Sequence, residues 1–194
     1  GNWRGDDAGV TLAEAWHDPV TPTTTKPTDT RGHGTHTMGT ICGAGGIGVA
    51  PGAKWIASAS IDRVSITRTV TDALKSLQWI VDPDGNPATA HDTPVVCSNS
   101  WGLSPLSTSH GVSRCDPKFW QVIDNAEHAG VTVVFAAGNE GTRGGSTGSL
   151  RTPSDRIASS VSVLAVGALS TVNTGIASFS SRGPSGCDGK TPKP

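Results

Sequence analysis

Asp29-Thr-Arg-Gly-His-Gly-Thr-His-Thr-Met-Gly-Thr40 sets two histidines, His33 and His36, three residues apart among glycines and threonines. Gly32, Gly34 and Gly39 remove side chains where a backbone bends or packs closely. A histidine that begins a helix just after a glycine turn is well placed to act as a base. The positive end of the helix disfavours the protonated ring, and a neutral imidazole takes a proton from a hydroxyl. Two other readings stay open from this stretch alone. The histidines are polar residues of a buried helix, or they are metal ligands on a shared helix face. The metalloprotease pattern, however, sets its histidines four apart around a glutamate. Asp29 reads as a turn or capping residue rather than a catalytic acid.

Before this block the chain is irregular. Val10 to Trp16 suits a short strand or helical turn, and Pro19 to Thr30 an exposed loop. The His33 helix is expected to end near Gly43, followed by a glycine-rich turn to Gly52. Lys54 to Ile61 reads as a buried strand. Thr69 to Val81 has helical spacing, with Val70, Ala73, Leu74, Leu77, Ile80 and Val81 on one face. Thr69 and Asp72 resemble a capping box, and Pro83 stops the helix. Asp82 to Asp92 is a polar loop, and Pro94 to Ser100 a second buried strand. Asp116 and Pro117 open another helix as N-cap and first residue, with Trp120, Ile123 and Ala126 inward and Gly130 at its end. Val131 to Ala137 and Val161 to Ala168 supply further strands, and Ile176 to Ser180 a short fifth. Continuous apolar strands alternating with helices predict an α/β fold: a three-layer, doubly wound, mostly parallel sheet with helices on both faces.

Composition narrows the function. The 194 residues suit one domain. Fifteen basic and sixteen acidic residues give a formal net charge of −1 without a polybasic run, so nucleic acid and anionic membrane are poor partners. No apolar run is long enough to span a bilayer. The chain begins Gly-Asn-Trp and stops at Lys-Thr-Pro-Lys-Pro, and both ends read as cuts. Cys42, Cys97, Cys115 and Cys187 contain no CxxC pair, which argues against zinc. Cys42 and Cys97 fall in apolar or small-residue segments as buried thiols. Cys115 and Cys187 lie in polar stretches where a bridge is open in a secreted protein, with connectivity not fixed by sequence.

In parallel α/β sheets, reactive groups collect beyond the carboxyl ends of strands. Asn99-Ser-Trp-Gly102 follows one predicted strand and Ala136-Ala-Gly-Asn-Glu-Gly141 the next. Asn139 there offers a side-chain amide of the kind a developing oxyanion needs, or else simply occupies a left-handed turn. Gly144-Gly-Ser-Thr-Gly148 is a literal G-x-S-x-G. It lacks the preceding strand and following helix of a nucleophile elbow, and is read as a chance match.

Several blocks together resemble the subtilisin-like serine proteases, the subtilases. They are Arg31-Gly-His-Gly-Thr-His-Thr-Met-Gly-Thr40, Ile47-Gly-Val-Ala-Pro-Gly-Ala53, Asn99-Ser-Trp-Gly102, Ala136-Ala-Gly-Asn-Glu-Gly141, Val166-Gly-Ala168 and Phe179-Ser-Ser-Arg-Gly-Pro184. They follow the family's order, and the wording around Gly48 to Ile56 resembles most the bacillopeptidase F branch. The resemblance implies that His33 is the general base and then the acid for the leaving amine, while His36 is not catalytic. It implies that Asn139 donates to the oxyanion. Ser100, Trp101 and Gly102 on one side, and Ala136, Ala137 and Gly138 on the other, would line the pocket for the residue before the scissile bond. Their backbones would pair with an extended peptide. It further implies a secreted, monomeric enzyme acting on polypeptide, with no cofactor or metal needed for the chemistry. A structural calcium ion stays open, with no ligand set legible.

The departures from the pattern are equally informative. The family's aspartate lies upstream on a strand in a D-T/S-G setting, and Asp6-Asp7-Ala-Gly9 is only the nearest imitation. The nucleophile motif G-T-S-M-A-x-P belongs several dozen residues beyond the Ser-Arg-Gly-Pro block. Residues 1–194 are therefore expected to be an internal part of a catalytic domain, inactive alone and with a loosened sheet. A non-catalytic peptide-binding relative is the alternative, and a metal-dependent hydrolase using His33 and His36 a more distant one.

Overall fold

The computed structural model describes residues 2–21, 24–61, 66–105, 112–142, 148–157, 164–172 and 174–194. Ser146 and most of its G-x-S-x-G segment lie outside the described residues. The chain forms two compact units, Gly1–Pro94 and Val95–Pro194. Among the described residues every strand pair is parallel, and the pairs fall into a two-stranded and a three-stranded sheet.

In the first unit, α1 (Leu12–Ala15) leads directly into β1 (Trp16–His17), which pairs with β2 (Ala57–Ser58). The Glu14 carboxylate accepts from the Thr11 backbone N–H and hydroxyl, both at 3.0 Å, and closes the first turn of α1. The strand expected over Lys54–Ile61 is thus shorter. Only Ala57 and Ser58 find a ladder partner, and Trp55 makes a single bridge to Trp3.

α2 (His33–Cys42) has the predicted limits, with Gly32 at φ 76° as its N-cap. α3 (Ile66–Trp79) begins earlier than expected. Thr69 and Asp72 therefore lie inside the helix, both buried, and form no capping box. The apolar face is as predicted at Val70, Ala73, Leu77 and Ile80, which are buried. The indole N–H of Trp79 donates to the Ala13 carbonyl at 3.0 Å, and its ring stacks on His17.

In the second unit the order is β3 (Val96–Asn99), β4 (Thr132–Ala136), β5 (Leu164–Val166). α4 (Pro117–His128) packs on β4. The Asp116 side chain accepts from the Lys118 N–H at 3.0 Å, with Pro117 at the first position, as the sequence implies. Phe119, Ile123 and Ala126 are fully buried, whereas Trp120 is only half-buried. Gly130, at φ 94°, turns the chain from α4 into β4. Cys115 and Cys187 are disulfide-bonded, tying the start of α4 to the C-terminal segment.

The strands depart from the expectation of burial on both faces. β4 alternates, with Val133 and Phe135 fully buried and Thr132 and Ala136 exposed. Val96 is 54% exposed and Val166 is 55% exposed. One face of this sheet is covered by α4 and one is open among the described residues. The expected fifth strand at Ile176–Ser180 is reduced to a bridge between Leu169 and Ile176.

Candidate active site

His33 is the first residue of α2, and its position depends on the loop before it. The Asp29 carboxylate accepts hydrogen bonds from the backbone N–H groups of Arg31 (3.2 Å), Gly32 (2.9 Å) and Thr35 (2.7 Å), and from the Thr35 hydroxyl (2.8 Å). These donors include helix-start N–H groups that no carbonyl can satisfy. Asp29 thus caps the helix that presents His33, as the sequence suggested. The His33 ring is exposed and has no hydrogen-bond partner among the described residues. It is sterically free to meet a hydroxyl on one nitrogen and an orienting carboxylate on the other.

The Thr35 backbone and hydroxyl, then the Arg31 and Gly32 N–H groups, hold the Asp29 carboxyl at about 2, below its ordinary value of 3.8. A carboxyl depressed in the folded state stabilises that state fully above the unfolded value. The contribution is lost as pH falls through about 2. An NMR titration of the chain should therefore find the Asp29 carboxyl titrating near 2. A midpoint near 4, as for an unbonded carboxyl, would show that the cap is not formed.

The remaining predicted site residues all lie in the second unit, at the carboxyl ends of two neighbouring strands. β3 and β4 pair with Asn99 opposite Phe135, so the segments that follow them emerge side by side. Ser100 is exposed after β3. Trp101 turns inward: its indole N–H donates to Asn99 Oδ1 at 3.0 Å, and its ring meets Phe135 edge-on at 5.2 Å. It is a packed support under the strand ends. Leu103 and Thr152 exchange backbone hydrogen bonds of 2.8 and 3.0 Å, which fixes the segment after Gly102.

Ala136, the last residue of β4, is exposed; Ala137 after it is buried, its N–H donating to the Val166 carbonyl at 2.9 Å. Gly138 adopts φ 120°, which favours glycine, and a Cβ there would stand 2.7 Å from Ser181 Oγ. The Gly138 carbonyl accepts from the Ser181 N–H at 2.9 Å. Asn139 is exposed, and its side-chain amide has no hydrogen-bond partner among the described residues. A donor held on a fixed backbone and not already engaged is what oxyanion stabilisation requires.

What fixes that backbone is Glu140. Its Oε2 accepts from the Asn139 N–H at 3.0 Å and from the Ser181 hydroxyl at 3.0 Å. Its Oε1 accepts from Arg151 Nε at 2.9 Å and lies 2.8 Å from Arg151 Nη2. Burial pushes the Glu140 carboxyl up, but the Arg151 bond and charge, the Ser181 hydroxyl and the Asn139 N–H outweigh it, so the net shift is downward. Arg151 also donates from Nη1 to the Gly102 carbonyl at 3.3 Å. Its backbone N–H donates to the Ala137 carbonyl at 3.0 Å, so Arg151 bonds to both predicted pocket walls, and Glu140 neutralises its charge. Gly102 is needed for this approach, since a Cβ would stand 2.7 Å from Arg151 Cβ. The roles of Glu140 and Ser181 are not visible in local sequence patterns. Their only signal is membership of the Ala136–Gly141 and Phe179–Pro184 blocks.

Neither free thiol is a candidate nucleophile. Cys42 is buried, and desolvation pushes the Cys97 thiol up to about 11.

The family model described as "Subtilase family" matches residues 6–193. Bacillopeptidase F of Bacillus subtilis is 34% identical over 182 residues, covering 89% of this chain and 12% of the relative. Subtilisin DY of Bacillus licheniformis is 32% identical over 160 residues, covering 80% of this chain and 49% of the relative. Among solved structures, Sphericase superposes with a TM-score of 0.58 at 27% identity, covering 89% of this chain and 54% of that one. The S41 psychrophilic protease gives 0.55 at 29% identity, covering 83% and 48%. The chain spans about half or less of the length of these relatives.

Proposed function

The chain belongs to the subtilase family, and from that premise we propose that residues 1–194 are part of the catalytic domain of a serine endopeptidase. The observation that supports this best is the unengaged Asn139 amide on a backbone braced by Glu140, Ser181 and Arg151. In the proposed reaction His33 accepts the proton of a serine hydroxyl as that oxygen attacks the peptide carbonyl. The carbonyl oxygen takes up negative charge and receives the Asn139 amide hydrogen bond. His33 then protonates the departing amine, leaving an acyl-enzyme that water hydrolyses.

The serine and the orienting aspartate are assigned to segments of the parent protein flanking this stretch, since its relatives extend well beyond it. The peptide is assigned to the strand-end segments Ser100–Gly102 and Ala136–Gly138, extended alongside them as an added strand. The Cys115–Cys187 bridge favours an oxidising, extracellular setting.

Serine-directed fluorophosphonate labelling tests this reading. The parent protein should be labelled and should lose peptide hydrolysis in step with labelling. Residues 1–194 alone should stay unlabelled and inactive. Labelling of the 194-residue chain, or hydrolysis by a fully treated parent, would contradict the assignment. An unlabelled parent that still binds peptide would point to the non-catalytic alternative.

A further inference from the structure

Arg151 takes no part in the proposed chemistry, yet it is wedged between the two predicted pocket walls. A Cβ on Gly102 would stand 2.7 Å from Arg151 Cβ and 3.2 Å from its Cδ, and a Cβ on Gly138 would stand 2.8 Å from its Cγ. The arginine stem fits only because both neighbours are glycine. With the stem packed in this way, the 31% of the side chain that stays exposed falls mainly on the guanidinium.

A guanidinium carries five N–H donors in a planar fork. Nε donates to Glu140 Oε1 and Oε2 at 2.9 and 3.1 Å, and Nη1 donates to the Gly102 carbonyl at 3.3 Å. Nη2 lies 2.8 Å from Glu140 Oε1. One N–H on Nη1 and at least one on Nη2 are then left with no protein acceptor among the described residues. Glu140 is not available to a substrate in the same way. It is 7% exposed, and its oxygens already take the Arg151 Nε–H, the Asn139 N–H and the Ser181 hydroxyl. The pair therefore presents directed donors between the walls and no free acceptor.

We infer that Arg151 sets the substrate preference of the proposed peptidase, by donating to the side chain of the residue before the scissile bond, and that the preferred residue is glutamate, then glutamine. A carboxylate takes two parallel N–H groups in charge-assisted hydrogen bonds, and a carboxamide takes one through its oxygen. An apolar side chain would cover the same donors and leave them unpaired. A lysine would bring a second cation to a place that offers it no acceptor.

This inference rests on the peptidase reading, and the experiment separates the two. Peptide p-nitroanilides that differ only in ending with glutamate, glutamine, leucine or lysine are compared by kcat/KM on the parent protein. Glutamate should exceed leucine and lysine by about ten- to a hundredfold, the scale of a hydrogen bond to a charged group, with glutamine between. Arg151→Lys keeps a cation beside Glu140 but loses the fork, and should lower the glutamate-to-leucine ratio about tenfold. Arg151→Met keeps an unbranched stem without donors and should invert the ratio. A ratio taken within one variant is insensitive to a general loss of activity from a disturbed Glu140. If Arg151→Met does not fold, Arg151→Lys carries the comparison. Leucine cleaved as well as glutamate by the wild type, or a ratio unchanged in Arg151→Lys, would overturn the role of Arg151 and leave the peptidase reading standing. Hydrolysis of none of the four substrates would overturn that reading and this inference with it.

Discussion

Replacing His33 with alanine in the parent enzyme is expected to abolish peptide hydrolysis while leaving the fold intact. His33 is exposed at the first position of α2, with no hydrogen-bond partner among the described residues. Truncating it removes no packing and leaves no buried group unsatisfied, so the structural effect is small. The helix start is held by Asp29, not by the imidazole. In the proposed reaction both the proton accepted from the nucleophile and the proton given to the leaving amine pass through that ring, so the expected chemical effect is large. In subtilisin, loss of the catalytic histidine costs about 10⁶-fold in turnover. Hydrolysis rates on a peptide substrate, with a thermal melt of the same sample, check both halves of the expectation. Undiminished turnover would remove His33 from the mechanism.

Asn139→Ala is expected to lower turnover with little change in KM. The amide is unengaged by protein in the structure, so its deletion leaves the platform intact. Glu140, Ser181 and Gly138 fix the backbone through main-chain and carboxylate contacts that alanine preserves. In the proposed role the hydrogen bond strengthens as negative charge grows on the carbonyl oxygen, so its loss would fall on the transition state and not on binding. About 10²- to 10³-fold in kcat is the scale measured for the oxyanion-hole asparagine of subtilisin. A rise in KM with kcat unchanged would instead make Asn139 a substrate-binding residue.

The parts of this molecule legible in the sequence are those governed by short-range chemistry. α2 and α4 were readable because glycine, Asp116 and Pro117 mark their ends by local capping and steric rules. The start of α3 was misread because Thr69 and Asp72 have capping-box spacing, yet burial places them within the helix. β2 and β3 are shorter than the apolar runs that predict them, because such a run records what can be buried, while strand length depends on a partner; residues 161–163 of the run before β5 lie outside the described residues. The candidate residues at the ends of β3 and β4 stand where parallel topology puts strand-end tails, which the apolar runs before them make legible. Glu140, Arg151 and Ser181 were not, because their contacts join positions far apart in the chain and leave no periodic trace. The same holds for the buried carboxylate of Asp92, which by sequence alone belongs to an ordinary polar loop.

The most direct measurement is a crystal structure of the parent domain with a peptide aldehyde bound, reporting the separation between the His33 ring and the Asn139 amide nitrogen. Both groups acting on one carbonyl places them within roughly 8 Å, two hydrogen-bond-range contacts across the reacting atoms. That separation, with the Asn139 amide directed at the aldehyde oxygen, is the predicted result. A His33 ring lying well beyond that span, or on the opposite side of the sheet from Asn139, would contradict it.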